Sequence, residues 1–197
     1  MRTADPKSPT KEKIVKSAVK LMRAKGYEAT SVDDICCDAK LTKGSFFHYF
    51  KDKEALAKAA LDDFCCCQAD EIGKGRKEEK DPLKKLDSFI DRIIEMGSEP
   101  GAIHGCLIGN FAQELSDTHP ELRKACAEKY DGFGNFIKVL LDAARSPKVK
   151  ADTKSLAEHF ISVMQGSFIL AKAKQDTGVF KKNMEHLKRY LRSALLG

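Results

Sequence analysis

Apolar positions along this chain recur with the period of a helix almost from end to end. Ile14, Ala18, Leu21 and Met22 follow one another at steps of four, three and one, which predicts a first helix opened by Ser8-Pro9-Thr10 and ended by Gly26 as a left-handed cap. Ser31-Val32-Asp33-Asp34 has the form of a capping box, and Val32, Ile35 and Ala39 line a short second helix. Lys40-Leu41-Thr42 is a turn into a third helix, where Phe46 and Phe50, four residues apart, share the inward face. Asp52 caps a fourth helix that runs through Leu56, Ala60, Leu61 and Phe64 towards the glycines of Gly73-Lys74-Gly75-Arg76. Asp81-Pro82 opens a fifth helix, with Leu83, Leu86, Phe89, Ile90, Ile93 and Ile94 inward. After the break at Glu99-Pro100-Gly101, a sixth spans Gly105 to Leu115 and a seventh runs from Thr118-His119-Pro120 to Arg145. An eighth spans Asp152 to about Gln175, and a ninth Val179 to Leu196. The expected fold is all-α with about nine helices.

The third helix carries the first candidate chemistry. Thr42 is a good N-cap, Gly44 and Ser45 leave the first turn sterically open, and Lys43 adds a charge beside a helix end that favours an anion. With Phe46 and Phe50 inward, Lys43, Gly44, Phe47 and His48 point outward. Lys43 can donate to guanine edges and Phe47 can lie on a thymine methyl, while His48 and Tyr49 can donate to phosphates or bases. Lys53, in the first turn of the fourth helix, is placed for a second phosphate. Three short helices with such a turn form a helix-turn-helix, over residues 9–53, which leaves 54–197 as a separate helical body.

Charge changes the picture in the same direction. Residues 1–60 hold 13 Lys/Arg against 8 Asp/Glu, whereas 61–197 hold 22 against 21, so the net charge of +6 is concentrated on the helix-turn-helix. Phosphate attraction predicts that asymmetry for a nucleic-acid module joined to a near-neutral one. Residues 1–8 read as a disordered basic arm, with Arg2 and Lys7 able to visit a minor groove or to remain an untethered tail. Seven cysteines without a secretory leader point to a reducing compartment, and no apolar run is long enough to span a bilayer, so the expected location is the cytoplasm with no membrane partner.

Residues Ala29-Thr30-Ser31-Val32-Asp33-Asp34-Ile35 and Leu41-Thr42-Lys43-Gly44-Ser45-Phe46-Phe47-His48-Tyr49-Phe50-Lys51-Asp52-Lys53-Glu54-Ala55-Leu56 resemble the DNA-binding motif of the TetR/AcrR family of bacterial one-component repressors. Two positions depart from that pattern. Cys36 stands where the family usually has a small residue, and Lys40 where it often has glycine, so Lys40 is expected to adopt a left-handed backbone at some cost. The resemblance implies a dimer on a palindromic operator, paired through the last two helices as a four-helix bundle, and a fourth helix that relays ligand binding to the reading heads. Gly166 would allow close approach at that bundle, or is merely tolerated within the helix.

Phenylalanines are distributed over the whole helical body. Phe64, Phe89, Phe111, Phe133, Phe136 and Phe168, with Ile93 and Phe160, are candidate walls of an apolar small-molecule site, although packing is the usual role of any single one. Cys106 follows a chain break near a helix start, where the dipole can stabilise a thiolate. Gly105-Cys106-Leu107-Ile108-Gly109-Asn110 is similar to the corresponding segment of NemR-like, electrophile-responsive members of the family, and the same resemblance puts Lys172 at a pocket cation. The alternative is a small buried filler of a helix junction. Cys65, Cys66 and Cys67 fan out by about 100° per residue, so they cannot converge on one metal unaided and are expected mostly in the core.

The partners expected are therefore double-stranded DNA, a small inducer and a second copy of the chain, with no cofactor and no resident metal. Two rivals of other classes remain at this stage. One is a thiol enzyme using Cys106 with His104 or His119, against which no nucleophile elbow or dinucleotide glycine pattern is present. The other is a helical dimerisation module that does not read DNA.

Overall fold

The computed structural model describes residues 8–73 and 79–197. Most of the expected basic arm and the linker over 74–78 lie outside those residues. Among the described residues there are nine α-helices and one short 3-10 turn, so the all-α architecture stands. The helices are α1 (Pro9–Lys25), α2 (Val32–Ala39), α3 (Lys43–Tyr49), α4 (Lys53–Gly73), α5 (Pro82–Ser98), α6 (Leu107–Leu115), α7 (Pro120–Ala144), α8 (Thr153–Lys174) and α9 (Gly178–Leu196). They form two compact units, residues up to 69 with 107–127, and residues 70–106 with 128–197.

In the first unit α1, α2 and α3 pack on one another, and α6 packs on α1. Ile14, Ala18, Met22, Ile35, Phe46, Leu56, Leu61 and Phe111 are completely buried there. Each large apolar side chain so buried contributes about 1.5–3 kcal/mol. Local signals hold the helix ends. Ser31 accepts from the Asp34 amide while the Asp34 carboxylate accepts from the Ser31 amide, completing the capping box. Lys40 takes the left-handed conformation at φ 55° and ψ 48°, and its amide and that of Leu41 return to the Cys37 and Cys36 carbonyls. Gly26 ends α1 with φ 92° and ψ 167°, a positive-φ extended conformation rather than the left-handed helical one expected. Glycine is required there all the same.

The second unit is held by one apolar cluster. Phe89, Ile90, Ile137, Leu141, Phe160, Phe180, Met184, Leu191 and Leu195 are completely buried within it. α9 lies against both α8 and α5. Lys188 reaches Asp91 at 2.6 Å and Arg192 reaches Asp87 at 2.7 Å along the α5–α9 seam. At Gly97 an added Cβ would overlap the Phe180 ring, so only glycine lets the ring in. Asp81 caps α5 by accepting from the Leu83 and Lys84 amides, and Asp152 caps α8 through Lys154 and Ser155.

Two further expectations need correction. Pro100–His104 is a 3-10 turn rather than a plain break, so α6 starts at Leu107, two residues later than expected. Pro100 has its fixed φ in the first turn of that short helix, where no amide donor is needed. Cys66 and Cys67 are exposed and Cys65 only half-buried, so the triple cysteine is not core. The apolar side of α4 is occupied instead by Leu56, Ala57, Ala60, Leu61 and Phe64.

Candidate functional site

α3 is a seven-residue helix whose pose is set from beneath by aromatic packing. Phe46 is completely buried and Phe50 nearly so, their ring centroids 5.9 Å apart. Phe47 stands edge-on to Phe46 at 5.1 Å yet is 57% exposed, an unusual position for so large an apolar ring. Thr42 Oγ1 accepts from the Ser45 amide at 3.2 Å and pairs with the Ser45 hydroxyl at 3.1 Å, which closes the helix start. Thr42, Lys43, Gly44, Phe47 and His48 form an exposed face, with Ser45 and Tyr49 half-buried at its edges.

The charges on this face are tethered loosely. Lys43 Nζ lies 2.8 Å from the Asp33 carboxylate, which holds its ammonium pKa above the ordinary lysine value. Both side chains are more than half exposed, so the pair is weak and open to exchange for another anion. Cys36, on α2, is buried, and burial pushes its thiol up. The Tyr49 hydroxyl is engaged with Ser8 Oγ at 2.8 Å. His48 stands edge-on to Tyr49 with centroids 4.7 Å apart.

Lys53, expected at a second phosphate, makes its contacts here within the unit. Its ammonium lies 4.0 Å from the centre of the Tyr27 ring, donates to the Tyr27 carbonyl at 3.2 Å and sits 3.9 Å from Glu28. A cation over an aromatic face is attracted by the ring quadrupole, so this charge turns into the unit rather than out to solvent. Burial pushes the Tyr27 phenol up to about 12, with Glu28 and other nearby carboxylates adding to the shift. Sequence reasoning missed this strut, because 26 residues separate its ends.

The candidate ligand residues divide between the two units. Phe64 and Phe111 belong to the first, where Phe64 lies under the Arg23 guanidinium at 5.4 Å and Phe111 stands edge-on to Tyr27 at 5.9 Å. In the second, the completely buried Phe89 ring gathers Phe133, Phe136 and Phe160 at 6.3, 5.5 and 5.8 Å. Phe136 is 41% exposed, so this aromatic group runs from the core to the surface. Phe168 packs on Phe180 at 4.3 Å. Cys106 is buried immediately before α6, while Lys172 is exposed in the last turn of α8 and shares no hydrogen bond with it among the described residues.

Groups of three or more His, Cys, Asp or Glu able to hold a metal ion are absent among the described residues. No helix there is long and apolar enough to cross a membrane.

Comparison with known proteins agrees with this geometry. Residues 14–60 match the family profile of bacterial regulatory proteins of the tetR family, and residues 82–186 match the C-terminal domain of LmrA/YxaF-like transcriptional regulators. An HTH-type transcriptional regulator encoded in the lacX 3' region of Lactococcus lactis is 30% identical over 180 residues, covering 91% of each chain. The transcriptional repressor NemR of Escherichia coli is 23% identical over 59% of each chain. Among solved structures, a TetR transcriptional regulator from Chloroflexus aurantiacus superposes with a TM-score of 0.81 at 28% identity, covering 92% of this chain and 93% of its own. These relatives are regulators rather than enzymes, which disposes of the thiol-enzyme alternative. With an exposed α3 face on a three-helix head and matching profiles over both halves, the chain belongs to the TetR family of bacterial transcriptional regulators.

Proposed function

We propose that the protein is a cytoplasmic repressor that binds a palindromic operator as a homodimer and leaves it when a small apolar molecule occupies the second unit. The observation that carries the DNA-reading part is the α3 surface, where Lys43, Phe47 and His48 face solvent above a fully buried Phe46. A rigid helix on such a base suits insertion into a major groove, with Lys43 donating to guanine or phosphate and Phe47 lying against a thymine methyl. Asp33 holds the Lys43 ammonium until a phosphate or base edge replaces it. Lys53 contributes by fixing the Tyr27 turn.

Pairing through α8 and α9 is supported by what those helices leave uncovered. Ile169, Leu170, Tyr190 and Leu196 are each about half exposed, and a Cβ at Gly166 would meet nothing within this chain. Apolar side chains so placed gain from burial against a second copy. An apolar inducer is favoured over a thiol-reactive one by the aromatic group around Phe89, whereas Cys106 is buried and Lys172 exposed. The thiol reading keeps its own test.

Reduced protein is titrated into labelled duplex from upstream of its own gene, across salt concentrations, with and without N-ethylmaleimide. Specific binding that persists after modification, and is released by a small aromatic such as 4-ethylphenol, is the expected result. Specific binding lost on modification but retained by Cys106→Ser would transfer the switch to the thiol. Wild-type protein that shows no preference for that duplex over a scrambled one, and enriches no sequence from a randomised pool, would refute the repressor reading.

A further inference from the structure

The turn between α1 and α2 is held from two sides by residues distant in sequence. On α6, the Glu114 carboxylate accepts from the Tyr27 amide through Oε2 and from the Glu28 amide through Oε1, each at 2.8 Å. Two successive backbone N–H groups aimed at one carboxylate make an anion nest, with charge-assisted bonds. A Cβ at Gly26 would lie 2.9 Å from Glu114 Oε2, so the approach depends on glycine for space as well as for its positive φ. One turn earlier on α6, Asn110 Nδ2 donates to the Arg23 carbonyl at 3.3 Å. From the other side Lys53 donates to the Tyr27 carbonyl and covers its ring.

The segment thus fixed leads directly into the reading helices. The Thr30 amide donates to the Tyr27 carbonyl at 3.0 Å and its hydroxyl to the Gly26 carbonyl at 2.6 Å, with Thr30 completely buried. Ser31 then caps α2, and α2 packs on α3. Hydrogen bonds and packing thus link the Tyr27–Glu28 amides through Thr30 and Ser31 to α2, and through α2 to α3.

We propose that Glu114 is a positioning residue for DNA reading, binding the Tyr27 and Glu28 amides so that α2 and α3 are set at the angle the operator requires. The assignment rests on the DNA-reading function proposed above. Glu114 is itself exposed, so its removal leaves the apolar core of the unit untouched. Electrostatics and positioning predict opposite signs. Deleting a carboxylate from a unit that meets a polyanion raises affinity for any duplex. Loss of the nest instead lowers affinity for the cognate duplex alone.

The test uses the full chain and a duplex enriched by the wild-type protein from a randomised pool, beside a scrambled duplex of equal composition. Glu114→Gln should bind the enriched duplex at least about fivefold more weakly, the low end of ordinary coupling between sites, while its affinity for scrambled DNA holds or rises. Glu114→Asp, which keeps the charge but lacks the reach, should also lose affinity for the enriched duplex. Hydrogen exchange should quicken at Tyr27 and Glu28 and stay unchanged elsewhere in the unit. Unchanged or tighter binding of the enriched duplex by either variant overturns the proposal. Equal losses on both duplexes, with faster exchange throughout the unit, reduce Glu114 to a structural residue. If the wild-type protein enriches no sequence, the DNA-reading function fails and this role with it.

Discussion

Phe46 and Phe47 are neighbours with opposite environments, and the contrast separates fold from recognition one residue at a time. Phe46 is completely buried, so Phe46→Ala should cost about 3–5 kcal/mol through lost burial and a cavity, measured by urea denaturation. Phe47 is 57% exposed, so Phe47→Ala should leave stability within about 0.5 kcal/mol while weakening operator binding. Lys40 tests backbone conformation instead. Its φ of 55° is costly for a side-chain-bearing residue, and Lys40→Gly should raise stability by about 1 kcal/mol, seen as a higher Tm. That strain was legible through the family resemblance, because the TetR/AcrR pattern often has glycine at this position. The redirected Lys53 was not legible, since its partner Tyr27 arrives only through folding.

At the scale of elements, helix positions were readable from apolar spacing throughout and from capping side chains at the starts of α2, α3, α4, α5 and α8. Asp34 and Ser31 show the capping logic of α2 most clearly. The Lys25 ammonium, with the Ser31 amide and hydroxyl, holds the Asp34 carboxyl down to about 2 from an ordinary value of 3.8. A depressed carboxyl contributes stability above its unfolded pKa and loses it as pH falls through its folded one. Stability of the wild type should therefore drop between about pH 4 and pH 2 more than that of Asp34→Asn, followed by circular dichroism. The 3-10 turn at Pro100–His104 was hidden because Pro-Gly reads locally as a plain breaker. Gly97 was hidden for a different reason, as its necessity lies in Phe180, which α9 brings against it. Gly97→Ala should destabilise the second unit by about 1–3 kcal/mol or more through overpacking, with thermal unfolding as the measurement.

For the whole molecule, the central claim is that α3 reads duplex DNA from a homodimer. Of the residues expected at that surface, Lys43, Gly44, Phe47 and His48 are exposed together, which the inward placement of Phe46 and Phe50 made foreseeable. The ligand side was less legible, because aromatic residues spread along the sequence do not reveal which of them share a core until the helices are packed. The most direct measurement compares wild type and Lys43→Ala on an enriched operator duplex and on its scrambled counterpart, over a range of salt concentrations. The salt slope of Lys43→Ala should fall by about one for each half-site, and its preference for the operator should drop, if Lys43 meets phosphate and base edge. An unaltered slope and an unaltered preference would contradict the assignment of α3 as the reading helix.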